Sequence, residues 1–219
     1  MLVASGPTRA PIDAVRYIGN RSTGRLGSAI ATELLRRGAC VLFVYGTGSR
    51  VPTVPSPNLV LDEIETIDEA AAHVTRHLME HDIFAVIMAL ACLDYRPRET
   101  IQGKLSSDPE ERTLTLVKCR KIIDEVKVIS PSSLLVGFKL EVQISKEELF
   151  LRAEELARRV RCDLVVANRA DEIGEDRHRA WFVSLEGTER RVRGPFETPE
   201  EIARALADDL ARRGASESS

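Results

Sequence analysis

Gly19-Asn20-Arg21-Ser22-Thr23-Gly24-Arg25-Leu26-Gly27 puts three glycines, two hydroxyls, one amide and two guanidiniums immediately before a helical pattern. From Leu26 the apolar positions Ile30, Leu34 and Leu35 recur at helical spacing, so a helix is expected to begin near Gly24, with Ser22 or Thr23 capping it through a side-chain oxygen. The first N–H groups of such a helix have no intrahelical partner and lie at the positive end of its dipole. A phosphate there would meet those N–H groups together with Arg21 or Arg25. Gly24 and Gly27 would let a ligand and a neighbouring strand come close. An ordinary capped helix, with glycines that only make a turn, is an equal reading of these residues taken alone.

Upstream, Leu2 to Ser5 reads as a short buried strand, and Gly6-Pro7-Thr8-Arg9 begins an irregular connection that reaches to the helix. A dinucleotide fingerprint packs its glycines tightly between strand and helix, whereas here Gly6 is separated from Gly19, Gly24 and Gly27, which argues against NAD. A long loop after the first strand of an open α/β sheet lies at the carboxyl ends of the strands, where such sheets bind ligands. Thr8, Arg9, Asp13, Arg16 and Asn20 are therefore candidate contacts.

Downstream, strands are expected at Cys40 to Tyr45, Asn58 to Leu61, Ile83 to Leu90, Leu134 to Phe138 and Leu164 to Ala167, with helices over 68–80, Lys146 to Arg161 and Pro199 to Arg213. Alternation of strand and helix gives parallel strands with right-handed crossovers. Ala180 to Leu185 and Glu189 to Arg193 read as a hairpin. Arg96 to Lys118 reads as an arm or hairpin, with Thr113 to Val117 alternating like a strand. Asp94 follows a buried strand, where an acid bonds a ribose hydroxyl or a cation or simply caps a turn; both readings stay open. His73, His77 and His81 stand four residues apart on the second helix, a spacing that can offer imidazoles to a metal. No carboxylate or cysteine motif accompanies them, and a solvated helix face is the reading adopted.

The 219 residues, 43% hydrophobic and 30% charged, suffice for one domain, expected over 1–213 with a disordered tail over 214–219. A net charge of -3 disfavours a broad nucleic-acid or membrane surface. With no apolar run near the length of a membrane span and no charged leader before Leu2-Val3-Ala4, a cytoplasmic protein is expected. Cys40, Cys92, Cys119 and Cys162 show no paired spacing, so reduced and mostly buried cysteines are expected.

Ser5-Gly6-Pro7-Thr8-Arg9 with Pro11-Ile12-Asp13, Val15-Arg16-Tyr17-Ile18-Gly19-Asn20-Arg21-Ser22-Thr23-Gly24, Lys104, Gly137-Phe138-Lys139-Leu140-Glu141 and Val165-Val166-Ala167-Asn168 closely resemble phosphopantothenate-cysteine ligase, over nearly the whole chain. The resemblance implies a Rossmann-like α/β fold: an open, mainly parallel sheet with helices on both faces and a β-hairpin arm. It implies that the carboxylate of phosphopantothenate attacks the α-phosphate of CTP or ATP, commonly with Mg²⁺, and that the amine of cysteine then opens the acyl-nucleotide, in coenzyme A biosynthesis. Asn20 would act on that intermediate, Asp94 would lie near the nucleotide and Lys104 would meet its phosphates. Gly6, Thr8, Arg16, Ser22, Thr23, Gly24, Phe138, Lys139 and Asn168 would line the substrate and nucleotide sites. A homodimer is implied, with a separate decarboxylase as a further partner. Leu105-Ser106-Ser107 replaces the lysine cluster of many bacterial relatives and looks more like the eukaryotic form. Gly19 stands where serine is frequent, and Leu90, Cys92 and Leu93 replace smaller residues before Asp94. Many bacterial relatives carry a flavin-dependent decarboxylase ahead of the ligase, but Met1 opens on the first strand, so no flavin is expected. The rival readings are an NAD(P)-dependent short-chain oxidoreductase, for which no Tyr-x-x-x-Lys pair is found, and a non-catalytic nucleotide-binding protein, which would not need Asn20, Asp94 and Lys104 together.

Overall fold

A strand covered by helices on both faces buries every side chain and reads as one apolar run. The computed structural model, which describes residues 1–175 and 177–217, shows this in β1 (Leu2–Pro7), where all residues are buried. There follow a hairpin of β2 (Arg9–Pro11) and β3 (Tyr17–Gly19), helix α1 (Arg25–Arg36), β4 (Val41–Gly46), β5 (Leu59–Ile64), α2 (Ile67–Glu80) and β6 (Ala85–Ala91). The chain continues with β7 (Tyr95–Pro97), β8 (Leu116–Lys118), α3 (Ile123–Ile129), β9 (Leu134–Glu141), α4 (Lys146–Val160) and β10 (Leu164–Ile173). It closes with β11 (His178–Glu186), β12 (Glu189–Phe196) and α5 (Pro199–Glu217).

Eight strands form one sheet in the order β12-β11-β10-β9-β6-β1-β4-β5. From β10 to β5 all neighbours are parallel, and β11 and β12 add an antiparallel edge. The chain leaves β1 to lay β4 and β5 on one side and then crosses back to place β6 on the other. Strand order therefore reverses between β1 and β6, and a crevice opens at their carboxyl ends.

Alternate strand residues feed two cores. Val3, Phe43, Ile87, Val136 and Val166 pack with Ile30 and Leu34 of α1 and Ile202 and Leu206 of α5. On the opposite face Leu2, Ala4, Val44, Val86, Leu135 and Val165 pack with Val74 of α2, Val126 of α3 and Leu149 and Ala153 of α4. Each fully buried aliphatic side chain contributes about 1.5–3 kcal/mol relative to exposure. Helix α2 starts with a capping box: Glu69 N–H donates to Thr66 Oγ1 at 3.2 Å, and Thr66 N–H donates to the Glu69 carboxylate at 3.3 Å.

The open, mainly parallel sheet agrees with expectation, and several local expectations are corrected. Neither Ser22 nor Thr23 caps α1 by its side chain; the N-cap is Gly24, in the left-handed region at φ 70, and Ser22 Oγ accepts from Gly24 N–H at 3.4 Å. The connection after β1 is not irregular throughout, since β2 and β3 pair across it. The arm's strands are β7 and β8, which pair antiparallel, so Thr113 to Thr115 lie outside any strand. Cys40 is exposed, not buried. The last helix continues through Glu217, into the segment expected to be disordered, and Ser218 and Ser219 lie outside the described residues. No helix among the described residues is long and apolar enough to cross a membrane.

Candidate functional site

Two loop ends meet at the crevice and are tied together by side chains from the first connection. Thr8, fully buried just past β1, donates its backbone N–H to Ala91 O at 3.1 Å and accepts Leu93 N–H on Oγ1 at 3.0 Å. Asn20, exposed beyond β3, donates both Nδ2 hydrogens across the crevice mouth, to Ala91 O and Cys92 O at 3.0 Å each. Asp94 follows on the same loop and pairs with the Lys121 ammonium. Lys121 had no signal in the sequence, because the pairing spans the whole arm. Cys92 is no nucleophile here, since burial pushes its thiol up to about 12.

Two of the glycines are explained by the loop after β4. Gly6 and Gly24 both have positive φ, and a Cβ on Gly24 would lie 2.8 Å from Ser49 Cβ. A Cβ on Gly6 would also collide with the Ser49 side chain, so both positions require glycine for packing as well as conformation. Arg50 N–H donates to Thr23 O at 2.9 Å, which fixes the same loop against the start of α1.

Arg25 is not aimed at an anion. Its guanidinium donates to the carbonyls of Gly174 at 2.8 Å and Arg177 at 3.1 Å and to that of Glu175, bracing the β10–β11 turn. Of the two guanidiniums expected beside a phosphate, only Arg21 is left uncommitted to these carbonyls, and it is exposed.

Phe138 and Asn168 share the parity of Val136 and Val166 and lie on the α1/α5 face; Phe138 is half-buried against that core. Asn168 is buried, with its Nδ2 3.1 Å from His178 Nε2. Burial, and then the charge of Arg25, lower the His178 pKa to about 4, so the ring is neutral near pH 7 and Nε2 accepts from the amide. Lys139 lies on the opposite face, 2.9 Å from Glu141, which also accepts from Arg152 of α4 at 2.8 Å. The structure therefore places Lys139 apart from Phe138 and Asn168.

Arg16 and Lys104 are brought together by Asp13, a buried carboxylate. Its Oδ1 accepts Val15 N–H at 2.9 Å and Arg16 N–H at 2.7 Å, its Oδ2 accepts Leu105 N–H at 3.1 Å, and Arg16 Nε lies 3.3 Å from Oδ2. Arg16 also donates to Leu105 O at 2.8 Å, and Ala14 N–H donates to Gly103 O at 3.0 Å. Both neighbours of Lys104 are thus pinned to the 12–16 turn. Among the described residues no hydrogen bond or ion pair engages the exposed Lys104 ammonium.

Burial pushes the Asp13 carboxyl up, but the N–H groups of Val15, Leu105 and Arg16 and the Arg16 guanidinium more than offset this and hold it below the usual carboxylate range. A depressed folded pKa means that the contact is complete at neutral pH and is lost only as pH falls through that lowered value. Asp13→Asn turns an amide donor toward Leu105 N–H or toward those of Val15 and Arg16. Amide exchange at these positions is expected to quicken about tenfold or more, with the β1 amides unchanged; hydrogen–deuterium exchange checks this, and unaltered exchange at Leu105 would refute the pinning.

Residues 1–213 match the family described as the DNA/pantothenate metabolism flavoprotein C-terminal domain. The chain is 35% identical over 212 residues to the coenzyme A biosynthesis bifunctional protein CoaBC of Thermococcus kodakarensis, covering 97% of this chain and 51% of that protein. It is 30% identical over 201 residues to the protein of the same description from Mycobacterium tuberculosis, covering 86% and 47%. The chain thus spans about half the length of the curated relatives it matches. A crystal structure described as the DNA/pantothenate metabolism flavoprotein from Streptococcus pneumoniae superposes with a TM-score of 0.85 at 31% identity, covering 97% of this chain and 98% of that one. Cab2 H337A in complex with phosphopantothenate-cysteine shares the fold, with a TM-score of 0.77 at 18% identity over 98% of this chain and 88% of that one.

Proposed function

Because the chain belongs to the DNA/pantothenate metabolism flavoprotein C-terminal domain family, we propose that it joins phosphopantothenate to cysteine as a ligase in coenzyme A biosynthesis. The observation that carries this reading is the crevice itself. Asn20 spans its mouth, Asp94 stands on the same loop end, and the Lys104 ammonium, unengaged among the described residues, stands on the loop that the Asp13 contacts fix. The carboxylate attacks the α-phosphate of the triphosphate and pyrophosphate leaves. The amine of cysteine then attacks the acyl carbon, the nucleoside monophosphate leaves, and an amide bond remains. Such chemistry needs positioned cations and donors more than a protein nucleophile, in keeping with the inert Cys92 thiol.

Mg²⁺ is ordinarily held by substrate phosphates and one or two carboxylates. The exposed Asp94 fits as one such carboxylate once Lys121 yields, and the ion would neutralise phosphate charge. CTP and ATP remain equal as co-substrate, since Leu105-Ser106-Ser107 offers no further cation beside Lys104.

Pyrophosphate release is the test, with CTP, ATP and NADPH each offered with and without phosphopantothenate. Release that requires both phosphopantothenate and a triphosphate is expected. Oxidation of NADPH instead would favour the oxidoreductase, and nucleotide binding with no release would favour a non-catalytic protein.

The proposed assembly is a homodimer, because the arm leaves Tyr95, Leu114 and Leu116 exposed at 54%, 39% and 46% and β7–β8 alone is a marginal sheet. Light scattering is expected to give twice the chain mass. A monomer mass at all concentrations would overturn this. The product keeps the cysteine carboxyl, so a decarboxylase is the proposed partner that consumes it.

A further inference from the structure

The edge strand β5 and helix α2 bring together three side chains that play no part in the proposed reaction. His73 and His77 are one turn apart on α2, and Asp62 of β5 projects between them. His77 Nε2 lies 2.5 Å from Asp62 Oδ2, and His73 Nδ1 lies 3.3 Å from Asp62 Oδ1. One donor atom from each residue falls within 4.8 Å of the others. Around a tetrahedral zinc ion with bonds of 2.0–2.1 Å, ligand atoms stand about 3.3 Å apart, so modest side-chain adjustment closes the set.

The role of Arg76 points the same way. One of its guanidinium nitrogens lies 3.2 Å from Asp62 Oδ1 and 3.1 Å from His73 Nδ1. Arginine only donates, so His73 Nδ1 is the acceptor in that contact. Two acceptors, a carboxylate oxygen and an imidazole lone pair, therefore converge on one cationic group. Arg76 is 45% exposed and can swing into solvent, whereas His77 is almost wholly buried. His77 Nδ1 is buried without a hydrogen-bond partner among the described residues, whichever ring nitrogen holds the proton, so capture of a metal at Nε2 adds no new orphan.

We propose that Asp62, His73 and His77 form a divalent cation site of the zinc class, completed by water, in which the Arg76 guanidinium stands in when no metal is bound. On capture, the proton between His77 Nε2 and Asp62 shifts to Nδ1 or leaves for solvent, and the ion ties the edge strand to α2. The expected ion is Zn²⁺, because two imidazoles and one carboxylate suit it better than the oxygen ligands that Mg²⁺ and Ca²⁺ prefer.

The test uses tag-free full chain, stripped with a chelator and dialysed free of it. Calorimetric titration with Zn²⁺ is expected to show one equivalent bound, and Co²⁺ is expected to give the visible bands of a tetrahedral site. His73→Ala and Asp62→Asn should each weaken Zn²⁺ at least about tenfold and abolish the Co²⁺ bands. Arg76→Gln should bind Zn²⁺ several-fold more tightly, since a competing cation is gone, and His81→Ala should bind as the parent does. His77→Ala opens a buried position, so the partly exposed His73 carries the test if that variant fails to fold. No stoichiometric zinc binding, undiminished affinity in His73→Ala, weaker binding in Arg76→Gln, or equal loss in His81→Ala would each overturn the site.

Discussion

Asn20→Ala is expected to slow the cysteine-dependent half of the reaction by about 100- to 1000-fold, the range for loss of a single oxyanion donor, while formation of the acyl-nucleotide suffers less. The amide stands at the mouth of the β1–β6 crevice, and both Nδ2 hydrogens are engaged by the carbonyls of Ala91 and Cys92 at 3.0 Å. Both contacts are on an exposed side chain, so exchanging one carbonyl for an oxygen of the mixed anhydride leaves an acceptor that water can satisfy. The cations and backbone N–H groups proposed to meet the triphosphate do not depend on this amide, so the intermediate should accumulate. Asn20→Asp should be harsher still, because a carboxylate has no hydrogen to donate and would face two carbonyl oxygens and a negatively charged substrate. If Asn20 only clamps the connection to the end of β6, Asn20→Ala would lower thermal stability and slow both halves alike. Quenching the variant with phosphopantothenate and triphosphate before a cysteine chase distinguishes these outcomes. An intermediate that forms and turns over at the normal rate would end the catalytic assignment.

The parallel strands were legible because burial on both faces leaves no polar alternation to misread, as in Ile83 to Leu90, most of which became β6. Helices α1, α2, α4 and α5 were legible from their apolar spacing. Helix α3 was not, since its seven residues bury only Val126. The strands β2 and β3 are three residues each and bury only Ala10, too little for an apolar pattern, and the turn between them is held by Asp13. At the candidate site, position was legible and direction was not. That Thr8, Asn20 and Asp94 would gather at the strand ends followed from the open sheet. That Arg25 turns away, to carbonyls about 150 residues along the chain, did not, because those partners are backbone groups without a sequence signature. The histidine row shows the same limit. Its carboxylate, Asp62, comes from the neighbouring strand, and the burial of His77 comes from packing against it, so the expected solvated face is half wrong in a way that local spacing cannot reveal.

Lys104→Ala is expected to weaken triphosphate binding by about 10- to 150-fold, with a much smaller effect on phosphopantothenate. The range follows from a charge-assisted hydrogen bond worth about 1.5–3 kcal/mol and about 1.4 kcal/mol per tenfold. Gly103 O accepts Ala14 N–H and Leu105 N–H donates to Asp13, so the backbone on either side of Lys104 is fixed while its ammonium has no partner among the described residues. An ammonium so placed spends little entropy on ordering its backbone when phosphate oxygens arrive, and it gives up no protein contact to reach them. Lys104→Arg should recover only part of the loss, because a planar fork does not reproduce a compact charge facing several oxygens. The Asp13→Asn variant offers an internal control: it keeps the ammonium but frees its support, so it should weaken the triphosphate by less than Lys104→Ala, and combining the two should cost less than their sum. Raising the salt concentration should narrow the gap between parent and Lys104→Ala, since an exposed charge is screened. Equal losses for both substrates, or full additivity with Asp13→Asn, would show that Lys104 does not meet the triphosphate from the pinned loop.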